Sequence, residues 1–558
     1  MRVKKIVSVM IVLALLTTSL AACGSEATGK AANSTAATAG SAAAAAGSTV
    51  STAEEDPYKN YVKFSWAGPN VGNNGNDDIY AAIRNKFNVD IEFIPLVVDN
   101  TWMEKVRMWA ASKQLPDVVS IDFTPALYPD YQSFVKAGLL KALPSLQGKY
   151  ENMAAIVKNL NPKLIEKLRI SGEQYLWPAY RGMVEGDKNI EMSGMFYRKD
   201  WAEKLGIDKP EFTTEDFKSM LKQFIEKDPG GNGAGKTAGM LGISYAFPDH
   251  MGMHLFSPYY DRITKADGKY VFGATLTETV EGLKFLRELY EDGLLYQDFF
   301  TQKGKDAKNM YCAGRAGVYV DSVSPEKVDD MRKNFKAANP DLDAAKAVAP
   351  LRIRSMTGTY WGVEGTGFWT GAIYNASMDD EKFERILALT DWMCSKEGCY
   401  TTKYGIKGKD WDIDASGKLT LNWPKDENGI PKRPANLGSE TSVVNYYQMA
   451  ITSYKTELID NVSLDPQAVK DSLDWLAWRN SKTIVPRSID YDEQYLISDA
   501  KTKLASPLKT AVRDEVKKIV LSIPLKDVEA SWKAFLEVNK DKIAELEKDT
   551  NGKLLGGK

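Results

Sequence analysis

The feature that most limits what this chain can fold into is an alternation of strand-like and helix-like stretches between residues 62 and 121. Val62 to Trp66 reads as a strand, and Gly68 to Asn76 as a Gly/Asn-rich loop. Asp77 to Phe87 is helix-compatible, and Val89 to Pro95 is a second apolar strand. Pro116-Asp117-Val118-Val119-Ser120-Ile121 reads as a third, buried strand. Alternation at this spacing predicts βαβ units and a mainly parallel sheet. Sheets of that kind bind ligands in the loops at the carboxyl ends of their strands. Asn70, Asn73, Asp122 and Phe123 are expected at such ends.

Two later helices carry clear signals. Phe212-Thr213-Thr214-Glu215-Asp216-Phe217 combines an N-cap threonine, an acidic residue three positions on, and two phenylalanines spaced as a hydrophobic staple. Phe217, Met220, Leu221, Phe224 and Ile225 then mark one face. The second helix runs from about Thr277 to Asp292 and stops at Gly293.

The N-terminus reads as an export signal. Arg2, Lys4 and Lys5 form a basic region, followed by an apolar run from Ile6 to Leu16 that is too short to span a bilayer. The closing Leu20-Ala21-Ala22-Cys23 resembles the lipobox of bacterial lipoproteins, which implies a signal peptide over 1–22 and lipidation at Cys23. Two acyl chains would hold the chain on the extracytoplasmic face of the cell membrane. Gly24 to Asp56 is almost all Ala, Ser, Thr and Gly, so residues 23–57 are expected to form a disordered leash. As a flexible coil it would reach about 30 Å.

Composition narrows the function classes. The 72 basic residues nearly balance 74 acidic ones, so no field for nucleic acid is expected. No later apolar run approaches membrane-helix length. Beyond Cys23 only Cys312, Cys394 and Cys399 remain. Cys394 and Cys399 either close a small disulfide at a helix end or stay as separate buried thiols.

Tyr197-Arg198-Lys199-Asp200-Trp201, followed by Lys204-Leu205-Gly206, resembles an element of bacterial extracellular solute-binding proteins. Gly282-Leu283-Lys284-Phe285-Leu286 with Leu289-Tyr290-Glu291-Asp292-Gly293-Leu294 is similar to a helix of the same family, and Cys312 to Val318 to one of its strands. The order and spacing of these motifs most resemble the large family-1, LipO/LplA-like lipoprotein receptors of carbohydrate ABC importers. The resemblance implies a two-lobe α/β, type II periplasmic-binding-protein-like fold with discontinuous lobes around a hinge and central cleft. Lobe 1 would take residues 58–180 with about 369–405, and lobe 2 residues 181–368 with about 406–558. It also implies a monomer that captures an oligosaccharide and passes it to a membrane permease without making or breaking bonds.

Three motifs argue for other chemistry and lose on context. Gly230-Gly231-Asn232-Gly233-Ala234-Gly235-Lys236-Thr237 matches the P-loop pattern, but an amphipathic helix precedes it where a buried strand is needed. The family resemblance implies a calcium loop there, with Asp228 and Asn232 at its first and fifth positions. Gly230 at the third position and Lys236 at the ninth should weaken such a site severely, so no cofactor is expected. Asp412 to Gly417 has a similar start, but Trp423 stands where a bidentate glutamate belongs, and a hairpin turn is expected. His250 and His254 are four apart with Gly252 between them, which fits a loop better than a metal site.

Aromatic residues carry the positive argument. A sugar ring offers an apolar C–H face to an aromatic plane and a polar edge to Asn, Asp and Arg. Trp177-Pro178-Ala179-Tyr180-Arg181 offers both within five residues, and Tyr360 to Gly365 does so again. The candidate ligand-binding set is Trp66, Asn70, Asp122, Trp177, Tyr180, Arg181, Tyr197, Trp361 and Trp369. Trp475 and Trp478, in a helical stretch, are assigned to packing. A surface glycoside hydrolase and a peptide receptor of the same fold are the competing functions.

Overall fold

Alternating burial along the strand Val62–Pro69 sets the first sheet: Val62, Phe64 and Trp66 enter one core and Ala67 the other. The structure is a computed structural model and describes residues 57–69, 77–97, 101–123, 127–158, 160–180, 193–242, 259–354, 360–361, 368–427, 429–438, 462–484 and 490–556. Cys23, the leash, Asn70, Asn73, Arg181, His250 and His254 lie outside these residues. At Tyr180, Trp361 and Trp369 only the backbone is described.

The first sheet has five strands, ordered Val89–Leu96, Val62–Pro69, Val118–Asp122, Phe368–Tyr374, Leu176–Tyr180. The first three pair in parallel, as the alternation predicts. Phe368–Tyr374 runs antiparallel to both its neighbours, so the sheet is mixed. That strand arrives from far along the chain, beyond the reach of local pattern. The helix Asp78–Phe87 crosses between the first two strands in sequence. Asp77 caps it by accepting from the Tyr80 amide at 2.8 Å, and Asn88 ends it in the left-handed region at φ 49°.

The second sheet has four strands, ordered Val348–Pro350, Ser193–Arg198, Ala316–Ser322, Ala238–Leu241. Met195, Tyr197, Val318 and Val320 enter the core on one face, while Phe196 and Tyr319 enter that on the other. The helix Thr214–Lys227 covers the first face. Its capping box is complete: the Thr213 hydroxyl accepts from the Asp216 amide at 3.0 Å, and the Asp216 carboxylate from the Thr213 amide at 3.1 Å. Phe224 on this helix lies so close to the Ala316–Ser322 strand that a Cβ at Gly317 would sit 2.1 Å from its ring. Glycine is therefore required there by contact rather than by backbone angle.

The last two helices, Asp499–Ser522 and Val528–Leu554, join Thr277–Glu291 in the core of the second lobe. The Trp532 indole N–H donates to the Ala274 carbonyl at 3.0 Å. Beside them Asp261 is fully buried, accepting from Arg513 at 2.8 Å and Arg262 at 3.0 Å. Burial alone would raise its pKa, but Arg262, Lys509 and Arg513 outweigh it and hold the carboxyl below the ordinary range. No described helix is long and apolar enough to cross a membrane.

Two C-terminal segments pack differently from the sequence-based boundaries. Trp411, Leu419, Trp423 and Leu437 lie in the core of the first sheet, although residues from 406 onward were expected in the second lobe. Tyr491 and Tyr495 also pack on the first sheet, on its other face. The Trp411–Ile413 and Leu419–Leu421 strands form the expected hairpin, with Asp414 bonded to Ser416 and Lys418 in its turn. Cys394 and Cys399 stand as thiols, not joined in a disulfide.

Replacing Gly317 by alanine should cost about 1–3 kcal/mol of unfolding free energy in urea titrations, since the Phe224 ring must move. A neutral result would mean that the helix gives way freely. Asp261→Asn should cost about 2 kcal/mol at pH 7. Because the folded carboxyl has a lowered pKa, its contribution is present above the unfolded value near 4 and lost as pH falls through the folded one. The gap between variant and parent should therefore narrow steadily as pH falls below about 4; a gap of constant size across that range would refute the ion-pair account.

Candidate functional site

Strand direction decides where a ligand can reach these sheets. In the first, Pro69, Leu96, Asp122 and Tyr180 end their strands at one edge, and Phe368 begins its strand there. In the second, Leu241, Ser322 and Pro350 end at one edge, and Ser193 begins there. Tyr180 to Ser193 and Pro350 to Phe368 are the connections between the two sheets, and both start and end at the carboxyl edges. The candidate site is the space those edges share.

Aromatic rings support this edge of the first sheet. Phe123, next after the strand Val118–Asp122, stacks on Phe368 with centroids 5.6 Å apart and on Tyr495 at 5.6 Å. Tyr131 and Tyr128 meet the same ring edge-on at 5.4 and 5.9 Å. The Tyr131 hydroxyl donates to the Leu168 carbonyl at 2.6 Å, which ties the floor to the helix Pro162–Leu168. Asp122, the residue before Phe123, is partly exposed, and the Phe368–Tyr374 strand puts Thr370 opposite it. Phe123 was legible as a strand-end residue. Tyr495 has no local signal and reaches the site only through the tertiary fold.

Three members of the sequence-derived set sit in the core. Trp66 is 1% exposed and Trp177 0%, both in the core that the Asp78–Phe87 helix covers. Trp66 pairs with Val118, the first residue of its neighbouring strand, and so lies well below the edge that Asp122 marks. Trp177 pairs with Ala372, which in turn faces Ser120. Tyr197 is buried in the second lobe, and its hydroxyl donates to Asp208 at 2.8 Å. In this arrangement all three are packing residues, because they lie inside strands whose sheets are covered on both faces. Trp475 is likewise buried, donating to the Leu351 carbonyl at 2.8 Å. Asp122 is at the edge. The backbone of Tyr180 is there too, and that of Trp369 is next to it; Asn70 and Arg181, next in sequence after Pro69 and Tyr180, lie outside the described residues. Trp361 pairs with Ile484 in a two-stranded ladder along the second of the connections.

The Asp228–Thr237 loop is sealed by its own side chains. The Asp228 carboxylate accepts from the Thr237 hydroxyl at 2.5 Å and the Gly233 amide at 2.7 Å. The Thr237 bond leads in holding its pKa below the ordinary carboxylate range. Asn232 turns its amide nitrogen inward, donating to Thr237 and to the Gly314 carbonyl. With one carboxylate already engaged, Gly230 in the third position and Lys236 in the ninth, the residues do not fit a divalent cation. Among the described residues no cluster of three His, Cys, Asp or Glu could hold a metal. A helix precedes the loop and the strand Ala238–Leu241 follows it, the reverse of a phosphate-binding order.

Two cavities among the described residues lie elsewhere. One of about 680 Å³, between Tyr58, Tyr150 and Trp392, borders Phe87 at the amino ends of the first sheet's strands. The other, of about 350 Å³, lies beside the Val348–Pro350 edge strand among Lys199, Arg332 and Trp475.

Known proteins share this architecture. Lipoprotein LipO of Bacillus subtilis (strain 168) is 27% identical over 419 residues, covering 66% of this chain and 77% of its own. The crystal structure of the alginate-binding protein AlgQ2 without calcium ion matches with a TM-score of 0.63 at 16% identity, over 89% of this chain and 99% of that one. The S. pneumoniae ABC-transporter substrate-binding protein FusA in complex with kestose matches with a TM-score of 0.62 at 18% identity, over 88% and 99%. The fold is thus the two-lobe, type II periplasmic-binding-protein-like α/β fold. The family model for bacterial extracellular solute-binding proteins matches residues 72–398, more than half of the sequence, and the chain belongs to that family.

Proposed function

We propose that this chain is the extracytoplasmic receptor of an ABC importer for an oligosaccharide, held to the membrane through lipidated Cys23. The observation that carries the reading is that both connections between the sheets start and end at the sheets' carboxyl edges. A ligand entering there touches both lobes, so its contacts favour the closed arrangement. The sugar class is supported by the similarity to a kestose-bound receptor and an alginate-binding one, and by LipO as a lipoprotein. Asn70, Asp122, Tyr180, Arg181, Trp361 and Trp369 are the proposed contacts. Tryptophan and tyrosine planes would cover the sugar faces, and the amide, carboxylate and guanidinium would bond the hydroxyls. The closed form would deliver the intact sugar to the permease.

A thermal-shift screen of the full chain against oligosaccharides, with dipeptides as controls and each hit checked for cleavage, tests the reading. Ligand at a hundredfold excess over its dissociation constant should add about 2.7 kcal/mol of stability, a visible rise in melting temperature. Replacing Trp361 and Trp369 together by alanine should weaken that binding about tenfold or more. Shifts with peptides alone would replace the cargo, and cleaved sugar would make the protein a hydrolase.

A further inference from the structure

The short helix Tyr491–Gln494 lies in a place that neither lobe's continuous chain explains. It leaves the second lobe after the helix Pro466–Lys482, packs on the first, and returns to the second with Asp499–Ser522. Tyr491 and Tyr495 bind it to the first lobe's core. Asp492 adds ion pairs to Lys167 at 2.8 Å and Lys163 at 3.1 Å on the Pro162–Leu168 helix of that lobe. Asp490 caps the turn, one carboxylate oxygen accepting from the Asp492 and Glu493 amides.

The other Asp490 oxygen accepts from the Tyr270 hydroxyl at 2.5 Å. Tyr270 belongs to the second lobe: its ring is in that lobe's core, and Asn551 clamps its backbone, accepting from its amide at 2.9 Å and donating to its carbonyl at 2.7 Å. Lys501 of the Asp499–Ser522 helix makes a further bond across the same seam, to the Glu493 carboxylate at 2.8 Å and to its carbonyl. Tyr270 packs in the second lobe's core and the Asp490 turn is held to the first lobe by Tyr491, Asp492 and Tyr495, so the Tyr270–Asp490 bond spans the two lobes.

The geometry points to Asp490 and Tyr270 as an interlobe clasp that sets how far the lobes open and thereby tunes ligand affinity. The inference rests on the lobe-closure reading above. A receptor whose competent arrangement is partly populated binds with an affinity reduced by that fraction. Asp490 and Tyr270 are thus positioning residues, acting on the cargo only through the lobes. The aromatic floor at Phe123 and Tyr495 links the clasp to the sheet edge.

The test needs no ligand, so it stands or falls apart from the sugar assignment. Spin labels at Met108→Cys in the first lobe and Val538→Cys in the second, both exposed at 61% and 82%, report lobe separation by pulsed electron resonance in the full chain. Cys394→Ser and Cys23→Ser remove two native thiols from the labelling background, while Cys312 and Cys399 are buried. Tyr270→Phe keeps the ring and deletes the bond. It should shift the population toward longer separations about tenfold, the scale of a hydrogen bond to a charged group, with melting temperature nearly unchanged. Asp490→Asn keeps one acceptor oxygen for the two cap amides and turns a donor NH2 to the Tyr270 hydroxyl, which can accept instead, so it should shift it less. Superimposable distances in Tyr270→Phe and the parent would overturn the proposal. So would a lower melting temperature with unchanged distances, which would make Tyr270 a packing residue.

Discussion

Each sheet is buried on both of its faces, and the site follows from that constraint. The first carries one core around Phe64, Trp66 and Trp177 and another around Val119, Ile121 and Leu176. The second is covered in the same way, with Tyr197 on one side and Phe196 on the other. No sheet face is open to a ligand, so strand ends are the surface left. Parallel strands gather their carboxyl ends at a single edge, and the chain spends its loops there. Even the antiparallel strand Phe368–Tyr374 respects this arrangement by contributing its first residue to that edge.

Long-range parts complete the lobes rather than extend them. The two C-terminal helices finish a core begun some two hundred residues earlier, at Leu283, Leu286 and Leu289. Asp261 stays charged in the interior through Arg262 beside it and through Lys509 and Arg513 from one of these helices. Burying a carboxylate is costly without such partners, so the ion pair couples docking of the helix to packing of the 259–275 region. The 406–437 segment does the same for the first sheet, placing Trp411 and Trp423 against Tyr400 and Tyr404.

What was legible in the sequence was local. The strands at Val62, Val89 and Val118, the Asp77 and Thr213 caps and the 414 turn follow from neighbouring residues, and the helix before Gly230 disposes of the phosphate-loop match. Position relative to a strand's end was not legible for Trp66 and Trp177, because the distance to an edge depends on register with partners tens or hundreds of residues away. An aromatic beside polar residues reads the same whether it lies inside a strand covered on both faces or at that strand's end. The lobe boundary failed for a related cause: residues 406–437 carry no mark of which core they join, and Tyr495 reaches Phe123 across 372 positions.

A binding protein of this design divides its affinity between contacts and arrangement. Contacts to a sugar are individually weak, about 1 kcal/mol for a hydrogen bond exchanged with water. The balance between open and closed lobes enters with the same weight, since a tenfold change in the competent fraction is a tenfold change in apparent affinity. A single bond across the seam therefore counts as much as a bond to cargo, while making no demand on what the cargo is. This separates two properties that a rigid cleft would couple: edge residues such as Asp122 can set which sugar fits, and Tyr270 and Asp490 can set how tightly any fitting sugar is kept. Release to a permease then requires only that the lobes be pulled apart at a seam of a few polar contacts, not that each sugar contact be broken in turn.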